Sequence, residues 1–230
     1  MYLLIIVNIF ELLAALVGSY TMKKYRVRKL TRYFVYFLWL TVFVELIFGW
    51  IPWFVYKIDS ISHLKQTFLG NNHWAYNVYF IISFLFYIFF FKENIHSKKI
   101  KLFLSVLMFL YVIASTSNLI FTNVFFEGTS PVTYIFGAIL IFLSVMLYFY
   151  EILKSDTILS FHKSLPFYIA IGAMVFHLIV TPLFIYIQYN SVQNPDFVQV
   201  RKIILNSANI FLYTCYTIGF IVCSKKNRSY

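Results

Sequence analysis

Charge is scarce in this chain. Asp, Glu, Lys and Arg make up 12% of its 230 residues, against about 25% in an ordinary soluble domain. Acidic residues number only 8 against 19 basic ones. Cysteine is limited to Cys215 and Cys223, eight residues apart in one apolar segment. On a helix that separation is about 12 Å, beyond disulfide reach. Paired intramembrane aspartates are missing, because Asp59, Asp156 and Asp196 all fall in predicted loops. Only one histidine, His177, falls inside an apolar run, and there is no H-E-x-x-H pattern, so a metal hydrolase is excluded. Gly128-Thr129-Ser130 is a G-x-S in a loop without a strand-to-helix setting, and reads as a turn. These absences predict a protein that is not an enzyme and that needs no cofactor or metal.

What the chain has instead is apolar surface: 61% of its residues are hydrophobic and 22% aromatic. Apolar runs cover residues 2–20, 33–56, 74–91, 102–121, 132–150, 165–186 and 203–223. Each is close to the ~20 residues that cross a bilayer as a helix. They are too long and too uniformly apolar for barrel strands, which run about 10 residues with alternating polarity. The predicted fold is therefore an all-α, seven-helix membrane bundle in a single domain, residues 1–230. Residues 1–10 hold no basic cluster before the apolar stretch, so the first run is expected to stay as an anchor and not to be cleaved as a signal peptide.

Orientation follows from where the cations collect. Fifteen of the 19 Lys and Arg fall in the first, third and fifth loops and the tail, leaving Lys57, Lys65, Arg201 and Lys202 for the other side. Basic residues gather on the cytoplasmic side, so the N-terminus is expected outside and the C-terminus in the cytoplasm. The net charge of +11 thus flanks membrane segments and predicts no nucleic-acid partner. The expected surroundings are a lipid bilayer. Abundant Ile, Phe, Tyr, Lys and Asn fit an AT-rich genome and a bacterial cytoplasmic membrane. Trp50, Trp53 and Tyr56 at one end of the second run and Trp74 at the start of the third mark interfaces.

Three ionisable groups other than tyrosine and cysteine fall inside the runs: Glu11, Glu45 and His177. Such groups are expensive in hydrocarbon and mark functional sites by default; the competing reading is helix-to-helix glue. Counted at about 1.5 Å per residue, Asn8, Glu45, Asn77, Asn118, Asn206 and Asn209 fall in the outer half, with Glu11 and His177 near the midplane. The set describes a cup opening outward that would bind a small ligand or protons. Two arrangements stay open: neutral Glu11 and Glu45 acting as donors, or one of them paired with a His177 imidazolium. Pro52 and Pro182 are expected to kink the outer ends of the second and sixth helices.

A weak internal repeat relates Glu45-Leu46-Ile47 with Pro52, Phe54 and Tyr56 to His177-Leu178-Ile179 with Pro182, Phe184 and Tyr186. That 3+1+3 arrangement resembles the small SWEET-type sugar carriers, and size and topology resemble the microbial rhodopsins. No lysine lies in 203–223, where a retinal pigment needs one. The favoured function is a receptor-like subunit that binds a small ligand in the cup and signals to a cytoplasmic partner, since the inner halves show little polarity beyond Ser144 and tyrosine hydroxyls. The alternatives are a small-solute or proton-coupled transporter, or a structural subunit of a larger membrane complex packing through a small-residue stripe of Ala14, Ala15 and Gly18.

Overall fold

The computed structural model describes residues 2–155, 158, 160–190 and 195–226. Its α-helices are α1 Tyr2–Lys24, α2 Lys29–Ile47, α3 Ile51–Lys57, α4 His73–Asn94, α5 Lys98–Phe121, α6 Val124–Glu127, α7 Pro131–Leu153, α8 Leu165–Asn190 and α9 Pro195–Lys226. No strand occurs among the described residues. Seven helical stretches among the described residues are long and apolar enough to cross a membrane, with α2 and α3 together forming the second. Their outer faces carry large apolar side chains such as Ile9, Leu102 and Phe109 in the open. A water-soluble monomer rarely leaves so much contiguous apolar surface exposed, whereas lipid tails accept it. The chain is a polytopic membrane protein.

Packing closes six of the spans into a ring. α1 lies against α2 and α9, α2 against α4, α4 against α7, α7 against α8, and α8 against α9. The fourth span, α5, stands outside and leans on α4 and α7; its buried residues are only Leu104, Tyr111 and Ser115. Rings fill the centre: Phe34 on α2 packs edge-on against Tyr216 on α9 at 5.1 Å, and Phe37 stacks on Phe86 at 4.2 Å. The stripe Ala14, Ala15 and Gly18 is buried inside the bundle. A side chain at Gly18 would meet Phe220 and Val35. That surface is consumed by α1 packing on its own neighbours and is not free for another protein.

The second span breaks where the sequence places a kink. α2 ends at Ile47, and α3 begins at Ile51 with Pro52 in its first turn. Proline cannot donate to the carbonyl four residues back, so the Phe48 carbonyl needs another donor. Asn72 supplies it through Nδ2 at 3.2 Å. Gly49 is required here, because a Cβ would sit 2.3 Å from the Glu45 carbonyl oxygen. α8, by contrast, continues as a helix through Pro182. No glycine lies in the turn just before that proline, and Thr181 donates back to the His177 carbonyl at 2.6 Å, holding the turn closed.

Two boundaries differ from the apolar runs. The loop after α3 is built from 3₁₀ turns, Asp59–Gln66 and Phe68–Gly70. α9 starts at Pro195, ahead of the apolar run, so Arg201 and Lys202 lie within the helix and not in a loop. Proline is well placed at a helix start, where its missing N–H is no loss.

Candidate functional site

The polar residues picked out by sequence separate into distinct groups. Glu11 on α1 is 1% exposed, on the face shared with Val7, Ala14 and Ala15. It lies within electrostatic reach of Glu45 on α2. Glu45 Oε2 accepts a 2.7 Å hydrogen bond from the Tyr76 hydroxyl on α4. Tyr79 and Tyr213 are within electrostatic reach of both carboxyls. The Tyr79 hydroxyl is 2.8 Å from Thr41 Oγ1, which itself donates to the Phe37 carbonyl. Thr41 has one proton, so Tyr79 must be the donor in that pair. Glu11 Oε1 is buried and has no hydrogen-bond partner.

His177 belongs elsewhere. Its Nδ1 is 3.1 Å from the Tyr134 hydroxyl, and its ring packs among Phe84, Tyr87 and Phe176. Among the described residues no ion pair joins it to either carboxyl. The imidazolium pairing is therefore corrected: the aromatic packing of α4, α7 and α8 holds the imidazole away from charge. Its outer edge meets a 290 Å³ apolar groove between α7 and α8, lined also by Met174, Thr181 and Pro182.

Asn77 is a clamp. Its Nδ2 donates to the carbonyls of Val124, Phe125 and Gly128, and its Oδ1 accepts from Ser130 N at 2.9 Å. Asn118 Oδ1 accepts from the Ser130 hydroxyl at 2.7 Å. Both asparagines thus fix the turn into α7, where Ser130 caps the helix by accepting from Thr133 N. Gly128-Thr129-Ser130 is that turn. Asn206 and Asn209 fold back on their own helix, donating to the Lys202 and Leu205 carbonyls. Asn8 is half-buried on α1, one turn from Glu11.

A feature the apolar patterning hid lies at the opposite end of the bundle. A cavity of 890 Å³ opens among the loops that carry the basic residues and reaches inward to Phe90 and Phe220. Between it and the carboxyl pair stand Phe34, Tyr87 and Tyr216, the last two sharing a 2.5 Å hydrogen bond. The half of the bundle at the basic end is thus less closed than its composition implies, because loop and helix-end side chains line the cavity.

Tyr213, near the carboxyl pair, lies on the α9 face of Asn209, as helical spacing expects. Tyr76 and Tyr79, three apart on α4, are not marked by the sequence, because among 19 tyrosines that spacing carries little signal. No group of three or more metal-ligating side chains occurs among the described residues. No protein-family model, curated protein or solved structure matches the chain.

Proposed function

We propose that this seven-helix protein is a receptor-like membrane subunit whose input is a small ligand or proton taken up at the Glu11–Glu45 pair. The signal would be delivered at the basic end to a cytoplasmic partner, with the N-terminus outside and the C-terminus inside. One observation carries the reading: Glu11 Oε1 is buried without a partner beside a second carboxyl. An unsatisfied carboxyl oxygen in a membrane interior is costly, and a proton or a donor group on a ligand removes the cost. The α2–α3 break supports transmission, since α2 ends two residues past Glu45 and Trp50 in the break packs on Trp53 of α3 with ring centroids 5.8 Å apart. A change at Glu45 therefore acts directly on an irregular, hinge-like joint.

A second reading, a proton-coupled or small-solute carrier, is supported by the inner cavity and by the fourth span standing outside the ring, as a 3+1+3 arrangement would place it.

The two are separated by one preparation, the protein reconstituted in vesicles loaded with a pH-sensitive dye and acidified from one side. The receptor reading expects a change in Trp fluorescence, from the joint at Trp50 and Trp53, with no change in lumenal pH, and loss of that change in Glu11→Gln and Glu45→Gln. A carrier instead acidifies the lumen. Vesicles that show neither response exclude a proton as the input and as the cargo at this pair.

A further inference from the structure

We infer that the cavity at the basic end is a binding site for a phosphate-bearing organic anion, either the headgroup of an anionic phospholipid or a soluble organic phosphate. Its rim brings cations from two separate segments together: Arg26 and Arg28 between α1 and α2 with Lys29 at the start of α2, and Lys163 ahead of α8. Arg26 and Arg28 flank one residue in a non-helical segment, with Arg28 extended at φ −60°, ψ 151°. Both side chains line the cavity, so the two guanidiniums border one space. Arginine matches phosphate oxygens with paired, planar donors.

Neither acidic residue of the cavity, Glu93 or Glu151, forms an ion pair with these rim cations. Glu93 lies 3.9 Å from Lys92 and 3.8 Å from Lys101. Glu151 Oε1 accepts from the backbone N–H of His96 and Ser97, and lies 3.1 Å from His96 Nδ1, holding the entry to α5. Among the described residues no ion pair engages Arg26, Arg28, Lys29 or Lys163.

The floor is aromatic, formed by Phe89, Phe90 and Phe220. A volume of 890 Å³ far exceeds a bare phosphate and falls within the range of about 300–1,000 Å³ typical of organic-ligand pockets. The cavity therefore combines a cationic rim for phosphate with an apolar floor for the organic remainder. This is a separate locus from the carboxyl pair, and it stands whichever functional reading holds there.

The test is thermal unfolding of the full chain reconstituted in phosphatidylcholine vesicles, with and without phosphatidylglycerol, and separately with added pyrophosphate as the soluble probe. A midpoint raised by phosphatidylglycerol assigns a lipid headgroup; one raised by pyrophosphate in phosphatidylcholine alone assigns a soluble phosphate. In either case Arg26→Gln with Arg28→Gln should weaken the apparent affinity at least about tenfold, as loss of charge-assisted hydrogen bonds implies. Lys163→Gln, from the other segment, should weaken it in the same direction. Lys98→Gln with Lys99→Gln, at the same end but outside the cavity lining, should leave it unchanged. The proposal is overturned if neither probe shifts the midpoint, or if the Lys98 and Lys99 pair weakens binding as much as the arginine pair.

Discussion

The Tyr76 hydroxyl donates to Glu45 Oε2 at 2.7 Å, tying α4 to α2 just before the second span breaks. Without it the Glu45 carboxyl would have no hydroxyl donor at the point where the backbone loses its helical ladder. The bond thus joins a functional candidate to a structural weak point.

Tyr76→Phe is expected to lower stability by about 1 kcal/mol, the net worth of a typical intramolecular hydrogen bond. Combining it with Glu45→Gln in a double-mutant cycle should return a coupling energy well above zero, since both residues touch. Thermal unfolding in detergent measures each value. Strictly additive losses would show that the contact contributes nothing.

Asn77 and the two asparagines of α9 should behave oppositely although all three are polar and in apolar spans. Asn77→Ala strips partners from three carbonyls and one N–H of the turn into α7, and should cost on the order of 1–3 kcal/mol for each buried group left unsatisfied. Asn206→Ala and Asn209→Ala remove bonds to carbonyls of their own helix and should stay within about 0.5 kcal/mol. Equal losses at all three positions would contradict the assigned roles.

Gly137 sits where α7 meets α4, and a Cβ there would approach the Phe84 ring to 2.3 Å. Gly137→Ala should therefore destabilise by about 1–3 kcal/mol, the usual cost of overpacking, with Phe84→Leu in the same chain restoring part of it. A neutral Gly137→Ala variant would mean that α4 and α7 can separate.

The spans were legible because lipid selects for length and apolarity, and both are one-dimensional properties. The break after Glu45 was legible in Pro52, but Pro182 carries the same signal and α8 continues through it as a helix, so the neighbours decide the outcome. Pairings across the bundle were not legible. Placing Glu11 and His177 at similar depth said nothing about azimuth around the ring, and it is azimuth that puts Glu11 beside Glu45 and His177 beside Tyr134. Asn77 and Asn118 read as cup-lining groups at their depth, yet each meets the turn at Ser130. The cavity at the basic end escaped for a related reason: it is bounded by loops, whose path no periodicity encodes.

Orientation is open to direct measurement. The split of 15 cations against 4 predicts that a reporter fused after Tyr230 is cytoplasmic, and that a cysteine at Ser62, in the 3₁₀ turn after α3, reacts with an impermeant reagent from outside. A matching cysteine at Gln193, which lies outside the described residues, should react from the same side. Labelling of either loop from inside would reverse the assignment.

Glu11 and Glu45 offer the sharpest contrast, because the fully buried Glu11 lacks the donor that the half-buried Glu45 has. Glu45 has a donor in Tyr76, whereas Glu11 Oε1 has none. Replacing a buried polar group that lacks a partner with an apolar one of similar volume removes a desolvation penalty of about 1–3 kcal/mol. Glu11→Leu should therefore leave the thermal midpoint unchanged or raise it. Glu45→Leu should lower it, since the Tyr76 hydroxyl then loses its acceptor. Both substitutions should abolish the acid-induced Trp response. A carboxyl retained against its own stability cost is what an input site requires. If Glu11→Leu instead lowers the midpoint as much as Glu45→Leu, or leaves the response intact, Glu11 is packing material and the input assignment fails.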